Sequence, residues 1–210
     1  LKNAIDSSRF IADDKKRKNV RQELGLDNKL VVGHVGRLHP QKNHEFLLKV
    51  FSEIKKKRQD AVLILVGSGP LEHDIKEKVK ALGLEKSVIF LGNRKDMDYI
   101  YQGMDVCIFP SLFEGLGIVA IEAQAAGLPV VCSDGFPKEA CVTPLFKKMN
   151  LSDAPSEWAK VALDMVNNEY CHKNMKDYIV KSGFDMDETA LKMQRYYLKK
   201  SGVHWEEKYI

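Results

Sequence analysis

The stretch DVCIFPSLFEGLGIVAIEAQAAGLPVVCSD, residues 105–134, contains two short apolar runs separated by a longer segment. The runs at 105–110 and 128–134 are apolar without alternation, which is typical of strands that are covered on both faces. The segment from about 117 to 126 has the length and composition of a helix. This order predicts two strands of one parallel sheet, joined by a helix.

The same alternation extends back towards the start of the chain. Further strands are predicted at 29–36, 61–67 and 87–92, and helices at 43–58, 71–83 and 95–104. After about residue 145 we expect no more strands, but three helices at 156–169, near 170–182 and at 187–200. Five strands in this pattern predict an α/β fold with a Rossmann-like, doubly wound parallel sheet and C-terminal helices.

Composition excludes several classes of protein. The chain has 210 residues, 44% hydrophobic and 30% charged, with a net charge of +4, as expected for a globular protein. It has no run of about 18 apolar residues that could span a bilayer, and no apolar signal-peptide region. The basic runs at 15–18 and 55–58 are interpreted as solvated helix faces, with attraction to anionic lipid or phosphate as the alternative. The four separated cysteines indicate reduced thiols of a cytosolic protein.

Glycines and charged residues cluster where the predicted strands end. In an open parallel sheet, ligands bind beyond the carboxyl ends of the strands. Arg37 and Lys42 follow the first strand, and both can bind phosphate. The residues from Gly115 to Gly117 lead into a helix whose first amides can bind an anion. A diphosphate between these cations and this loop is a physically coherent site.

Two glutamates flank that loop and helix start. Glu114 precedes the helix and Glu122 lies within it, so both carboxylates can accept hydrogen bonds from hydroxyls of one elongated ligand. The alternative is that Glu114 caps the helix and Glu122 pairs with a lysine. The segment GSGPLE at 67–72 is not a GxGxxG fingerprint, and no Walker sequence is present, so neither a dehydrogenase nor a nucleoside triphosphatase is supported.

Taken in order, these motifs resemble one family: the C-terminal half of the retaining GT-B glycosyltransferases of family 4, the group 1 glycosyl transferases. NAIDSSRF resembles the family's N-G-[IV]-D entry, with Ala4 in place of glycine. VGRLHPQKNHEFLL resembles its GR…K phosphate motif, and Glu114 and Glu122 form its E-x7-E motif. LVGSGPLE and VIFLGNRKDM complete the series.

The resemblance implies roles for individual residues. Arg37 and Lys42 would hold the donor diphosphate and stabilise charge on it as it departs, and Glu114 would contact the transferred sugar. Glu122 would bind the ribose hydroxyls. The remaining donor contacts would come from backbone and loop residues, namely Gly36, Gly67, Gly69, Leu71, Asn93, Arg94, Gly115, Leu116 and Gly117. No metal site and no cofactor are implied; the donor is a nucleotide sugar, with uridine as the expected base.

The resemblance also implies an organisation and a setting. Residues 1–210 would be the donor-binding domain, and the N-terminal acceptor domain would be absent from this chain. With that domain, the protein would transfer a sugar, with retention, to a glycan or polyprenyl-linked acceptor in bacterial exopolysaccharide or capsule synthesis. The expected location is the cytoplasm, either free or in peripheral association with the inner face of the membrane. No nucleic-acid partner is expected.

One segment departs from the family pattern. After the last predicted strand the chain keeps Glu139 but lacks the usual glycine loop, which leaves the roles of Lys138 and Glu139 open. Two alternatives to a transferase also stay open at this point. They are a nucleotide-sugar epimerase of the same architecture and a non-catalytic nucleotide-sugar-binding module.

Overall fold

The computed structural model describes residues 3–167 and 171–201 and contains six parallel strands in one sheet. The strands are β1 Val31–Val35, β2 Val62–Val66, β3 Val88–Gly92, β4 Val106–Phe109, β5 Val130–Ser133 and β6 Phe146–Met149. Their order across the sheet is β3-β2-β1-β4-β5-β6. This order confirms the predicted doubly wound, Rossmann-like sheet, with its switch point between β1 and β4.

Eight helices accompany the sheet within the described ranges. They are α1 Asp14–Glu23, α2 His44–Lys57, α3 Glu72–Ala81, α4 Met97–Ile100, α5 Ile118–Ala125, α6 Pro155–Val166, α7 Lys176–Lys181 and α8 Met186–Ser201. Short 3-10 turns occupy Ser7–Phe10, Pro40–Lys42, Tyr101–Gly103 and Lys138–Ala140. None of the helices in the described part of the chain is long and apolar enough to cross a bilayer.

Each face of the sheet is covered by its own apolar cluster. Val32 and Ile108 belong to the cluster formed with α2, α3 and α6, whereas Val31 and Cys107 belong to the one formed with α1, α5 and α7. Neighbouring residues along a strand point to opposite faces, so both faces require apolar side chains. This explains the continuous apolar runs, and full burial of each such side chain stabilises the fold by about 1.5–3 kcal/mol.

The prediction that strands end near residue 145 is wrong. β6 pairs in parallel with β5, from Val130 opposite Phe146 to Ser133 opposite Met149. Its sequence, FKKM, is not an apolar run, because β6 is an edge strand that is only partly buried, with Lys147 exposed. Lysines are typical of such edge strands, since they oppose further strand pairing.

Several predicted helices differ from the observed ones in extent. The helix predicted near 170–182 is reduced to α7, and residues 168–170 lie outside the described ranges. The helix predicted at 95–104 is one turn of α-helix, α4, that continues as 3-10 helix through Gly103. α1 was not predicted, because its sequence is almost entirely polar; only Val20 is buried.

The two basic runs have different environments. Lys56 and Arg58 form exposed ion pairs with Glu53 and Asp60, as expected for a solvated helix face. In the run at 15–18, by contrast, Arg17 pairs with Asp105, directly before β4. Part of this run therefore stabilises the fold and is not available to lipid or phosphate.

Candidate functional site

The loops after β1 and β4 meet at the switch point of the sheet. The Leu112 amide donates to the Gln41 carbonyl over 2.8 Å, and Gln41 Nε2 donates to the Phe113 carbonyl, also over 2.8 Å. The loop after β5 joins them, because the Glu114 amide donates to the Gly135 carbonyl over 3.0 Å. The loops after three strands are thus held together by hydrogen bonds to backbone carbonyls.

Lys42 and Glu114 form an ion pair in this position. The distance between Lys42 Nζ and Glu114 Oε1 is 2.6 Å, and the side chains are only 14% and 7% exposed. Lys42 ends a 3-10 turn, and Asn43, in the left-handed conformation, is the N-cap of α2 directly after it. A Cβ atom at Gly36 would lie 3.2 Å from Lys42 Cε, so glycine there leaves room for the lysine stem.

The start of α5 is shaped by Gly117. This residue is the N-cap of the helix with φ +72°, and a Cβ atom on it would lie 2.3 Å from Phe136 Cε1. Glycine is therefore required both by the backbone conformation and by the packed ring. No side chain caps the helix, so the prediction's alternative, in which Glu114 is the cap, is wrong. The first amides of α5 remain suited to an anion.

Glu122 lies one turn into α5 and contacts an aromatic hydroxyl. Tyr101 Oη is 3.3 Å from Glu122 Oε2 and 3.0 Å from the carbonyl oxygen of Val119. Burial raises the pKa of Glu122, while the Tyr101 hydrogen bond and the charge of Arg9 act in the opposite direction. Among the described residues it forms no ion pair with a lysine, so that alternative is also wrong.

A cavity of about 400 Å³ opens beyond the ends of β1, β2 and β3. Predicted site residues in its wall are Gly36, Arg37, Gly67, Asn93 and Arg94. Arg37 is exposed and forms no ion pair with any residue in the described ranges. Arg94 is held by two hydrogen bonds to Asp96, at 2.9 and 2.6 Å, which fixes its guanidinium at the rim.

Gly69 and Leu71 are in contact with the loop after β1 and do not line that cavity. A Cβ atom at Gly69 would lie 2.3 Å from the Leu38 carbonyl oxygen, and one at Gly67 would lie 2.1 Å from the Gly36 carbonyl oxygen. The Leu71 amide donates to the Leu38 carbonyl over 3.1 Å. The glycines of this segment therefore allow two loops to pack closely.

The remaining predicted positions lie in the loop between β4 and α5. A Cβ atom at Gly115 would meet nothing within 4 Å, so this glycine faces open space. Leu116 is partly buried against the core cluster around α5. Together with Glu114 and Gly117, these residues form a continuous segment next to Lys42.

The prediction missed Gln124, which fixes the segment after β5. Its Nε2 donates to the Ala120 and Ala140 carbonyls, at 2.9 and 2.8 Å, and its Oε1 accepts from the Thr143 amide at 3.0 Å. Lys138 and Glu139 are exposed in the 3-10 turn that Gln124 holds. A glutamine among the small apolar residues of α5 was visible in the sequence, but its partners are set by the fold.

Two histidines and one tyrosine near the site were also not predicted: His34, His44 and Tyr101. His34 and His44 are buried next to each other, with ring centroids 4.8 Å apart. Two histidines on either side of the GR…K segment were the available signal. In the described part of the chain, no group of three or more His, Cys, Asp or Glu side chains could hold a metal ion.

Comparison with protein families finds a match over most of the chain. The family model described as "Glycosyl transferases group 1" matches residues 16–183. "Putative glycosyltransferase EpsF" of Bacillus subtilis is 32% identical over 193 residues, which cover 90% of this chain and 50% of the relative. The chain thus spans half the length of that relative.

Two further matches are a curated relative and a solved structure. "UDP-Gal:alpha-D-GlcNAc-diphosphoundecaprenol alpha-1,3-galactosyltransferase" of Escherichia coli is 34% identical over 138 residues, 64% of this chain and 36% of the relative. The crystal structure of Anabaena Alr3699/HepE in complex with UDP and glucose superposes with a TM-score of 0.78. It is 22% identical, and the match covers 96% of this chain and 56% of that one, which shows a common fold.

Proposed function

Because the chain belongs to the group 1 glycosyl transferases, as its motifs predicted, we propose that it binds a nucleotide-sugar donor for glycosyl transfer. The single observation that carries the proposal is the ion pair of Lys42 and Glu114 at the switch point of the sheet. It brings a phosphate-binding cation and a hydroxyl-binding carboxylate within 2.6 Å of each other. A sugar diphosphate needs both groups at one place, because its sugar and phosphate are joined by one oxygen.

The diphosphate would lie between the cations and the start of α5. Arg37 is exposed at the rim of the cavity, and Lys42 points across to the loop that leads into α5. The first amides of α5, after Gly117, lack a side-chain cap and would supply further donors. Side-chain cations and helix amides would then neutralise the two phosphates together.

The rest of the donor would extend to both sides of the diphosphate. Glu114 would accept hydrogen bonds from sugar hydroxyls, with Gly115 leaving space beside it. Glu122, held by Tyr101, would accept from the ribose hydroxyls. The base would enter the cavity of about 400 Å³ near Asn93 and Arg94. Uridine is the proposed base, supported by the UDP-sugar in the printed name of the E. coli relative.

The proposed reaction breaks the bond between the anomeric carbon and the diphosphate oxygen. The acceptor hydroxyl forms the new bond on the same face of the sugar, so configuration is retained, and its proton passes to the departing diphosphate oxygen. Negative charge grows on the departing diphosphate, and Arg37, Lys42 and the α5 amides stabilise it without reorganisation. Glu114 binds the sugar in this scheme and is not the general base.

The acceptor would be bound by a part of the protein outside this chain, since the chain spans half of the relative from B. subtilis. We propose a glycan or polyprenyl-linked acceptor in exopolysaccharide or capsule assembly, at the cytoplasmic side of the membrane. The acceptor in the printed name of the E. coli relative, a sugar diphosphoundecaprenol, supports this class. The comparisons give no support to an epimerase.

Calorimetric titration of the chain with UDP, UDP-glucose, GDP-mannose and NAD tests the proposal. The expected result is binding of a nucleotide sugar and of its free nucleotide, and no binding of NAD. Binding of NAD alone would overturn it. Transfer of a labelled sugar by the full-length protein then separates an enzyme from a non-catalytic binding module.

A further inference from the structure

Two histidines lie together in the core beneath the site. His34 is in β1 and His44 is the first residue of α2, and they are 0% and 3% exposed. Their ring centroids are 4.8 Å apart, with an angle of 71° between the planes. They are thus an edge-to-face pair at the boundary between the sheet and the helix that follows Lys42.

The hydrogen bonding of this pair is incomplete. His34 Nδ1 is 2.8 Å from the Ile108 carbonyl oxygen, which can only accept, so Nδ1 carries the hydrogen and Nε2 of the neutral ring a lone pair. Nε2 of His34 and both ring nitrogens of His44 have no hydrogen-bond partner among the described residues. A buried polar atom without a partner costs about 1–3 kcal/mol. Three such atoms in two neighbouring side chains are unusual in an apolar core, and they point to a role of the histidines beyond packing.

Lys42 is the charged group that acts on both rings. Burial, and then the charge of Lys42, lower the pKa of His44 to about 4. Burial is also the main cause of the lowered pKa of His34, followed by His44 and, more weakly, Lys42. Both rings are therefore uncharged at neutral pH, and neither repels the ammonium group.

The two histidines also connect β4 with the start of α2, the two elements next to Glu114 and Lys42. His34 bonds to Ile108 in β4, the strand that leads to Glu114. His44 packs on His34 and begins α2 two residues after Lys42. A change in either ring would shift the start of α2 relative to the end of β4.

We propose that His34 and His44 are a positioning pair, which holds the Lys42 ammonium where the donor diphosphate meets Glu114. The pair does not touch the donor; it acts through Lys42. This role rests on the proposed function, in which Lys42 binds the diphosphate.

A double-mutant cycle on UDP affinity tests the proposal. His44→Phe keeps an aromatic side chain in the core, so we expect folding to be retained. Its ring is larger and cannot keep the 4.8 Å packing on His34, so the start of α2 should shift and UDP affinity should fall about fivefold or more. In a Lys42→Ala background the same change should have almost no effect. Equal losses in both backgrounds, or no loss in the first, would overturn the proposal.

A second pair of variants supplies the conservative rescue. His34→Asn keeps an N–H group near the position of Nδ1, whereas His34→Leu removes it. We expect the Asn variant to bind UDP nearly as the wild type does, and the Leu variant to bind as weakly as His44→Phe. Equal affinities of the two His34 variants would contradict the role of the Ile108 hydrogen bond. If the His44→Phe protein does not fold, the two His34 variants test the proposal in its place.

Crystal structures separate this proposal from the proposed function. If the wild-type protein bound no nucleotide, the proposed function would be contradicted. The effect of the two histidines on the position of Lys42 could still be measured from the structures. Without added nucleotide, the distance of 2.6 Å between Lys42 Nζ and Glu114 Oε1 should be kept in His34→Asn and lost in His34→Leu. An unchanged ion pair in His34→Leu would overturn the positioning role.

Discussion

Lys42 Nζ and Glu114 Oε1, 2.6 Å apart, join the loops after β1 and β4 in a largely buried ion pair. Each partner has a further role in the proposed complex, because the ammonium can also bind phosphate and the carboxylate can also accept hydroxyls. Donor binding would therefore exchange one contact for two, without leaving either charge unpaired.

Lys42→Ala should weaken UDP binding. The variant loses a charge-assisted hydrogen bond worth about 1.5–3 kcal/mol, which corresponds to about 10- to 100-fold in the dissociation constant. Calorimetry measures it directly. Lys49→Ala is the matched control, because Lys49 forms an exposed pair with Glu45 on α2. Equal affinities of the two variants would refute the assignment of Lys42.

Glu114→Gln should weaken binding of a nucleotide sugar more than binding of the bare nucleotide. The variant weakens hydrogen bonds to sugar hydroxyls but leaves Lys42 free to bind phosphate, so UDP-glucose affinity falls about tenfold while UDP affinity does not. Parallel titrations with both ligands give the ratio. If both affinities fell by the same factor, Glu114 would not act on the sugar.

Glu122→Ala should weaken binding of UDP itself, by about tenfold, because a charged acceptor for the ribose is lost. Glu157→Ala, on the exposed surface of α6, is the control and should bind as the wild type does. Wild-type affinity in the Glu122 variant would leave its contact with Tyr101 as a structural one only.

His172 should make stability depend on pH. Burial, and then the charge of Arg17, lower its pKa from 6.5 to about 4 in the folded chain. Between these values the unfolded state binds the extra proton, so the free energy of unfolding falls as the pH decreases from 6.5 towards 4. Urea unfolding over this range should show a shallower fall for His172→Asn, and asparagine also tolerates the φ of 54° at this position. Identical pH profiles of the two proteins would contradict this.

Asp105→Ala should destabilise the fold strongly without involving the donor site. Asp105 Oδ2 accepts from the Val31 amide at 2.7 Å, and its carboxylate also pairs with Arg17 and Arg21. Removal of one partner from such a buried network costs about 3–5 kcal/mol. Urea unfolding at neutral pH measures the loss, with Asp164→Ala on the exposed face of α6 as the control. A loss no larger than that of the control would show that the network contributes little.

The parts of the fold that the sequence predicted are those with a strong physical signal. Strands buried on both faces require unbroken apolar runs, so β1, β2, β4 and β5 were recognised from their composition. β3, at one edge of the sheet and only partly buried, was recognised because its sequence VIFLG is also apolar. β6 was not, because an edge strand with two lysines lacks that signal. α1 was not predicted either, since it is held by polar contacts of Arg17 and Arg21 with Asp105, which is more than 80 positions away in the sequence.

The candidate site was predictable to a similar degree. Arg37, Lys42 and Glu114 are residue types suited to a sugar diphosphate, and each follows a predicted strand. The fold brings their loops together at the carboxyl ends of the strands. The pairing of Lys42 with Glu114 was not predicted, because it depends on the 3-10 turn Pro40–Lys42 that directs the lysine. The buried partners beneath the site, such as Gln124, depend on three-dimensional packing that no local pattern encodes.

A crystal structure of the chain with UDP-glucose tests the central claim most directly. The account predicts that the diphosphate lies within hydrogen-bonding distance of Arg37, Lys42 and the first amides of α5, with the sugar next to Glu114. A ligand bound at another surface, with this edge of the sheet unoccupied, would contradict it.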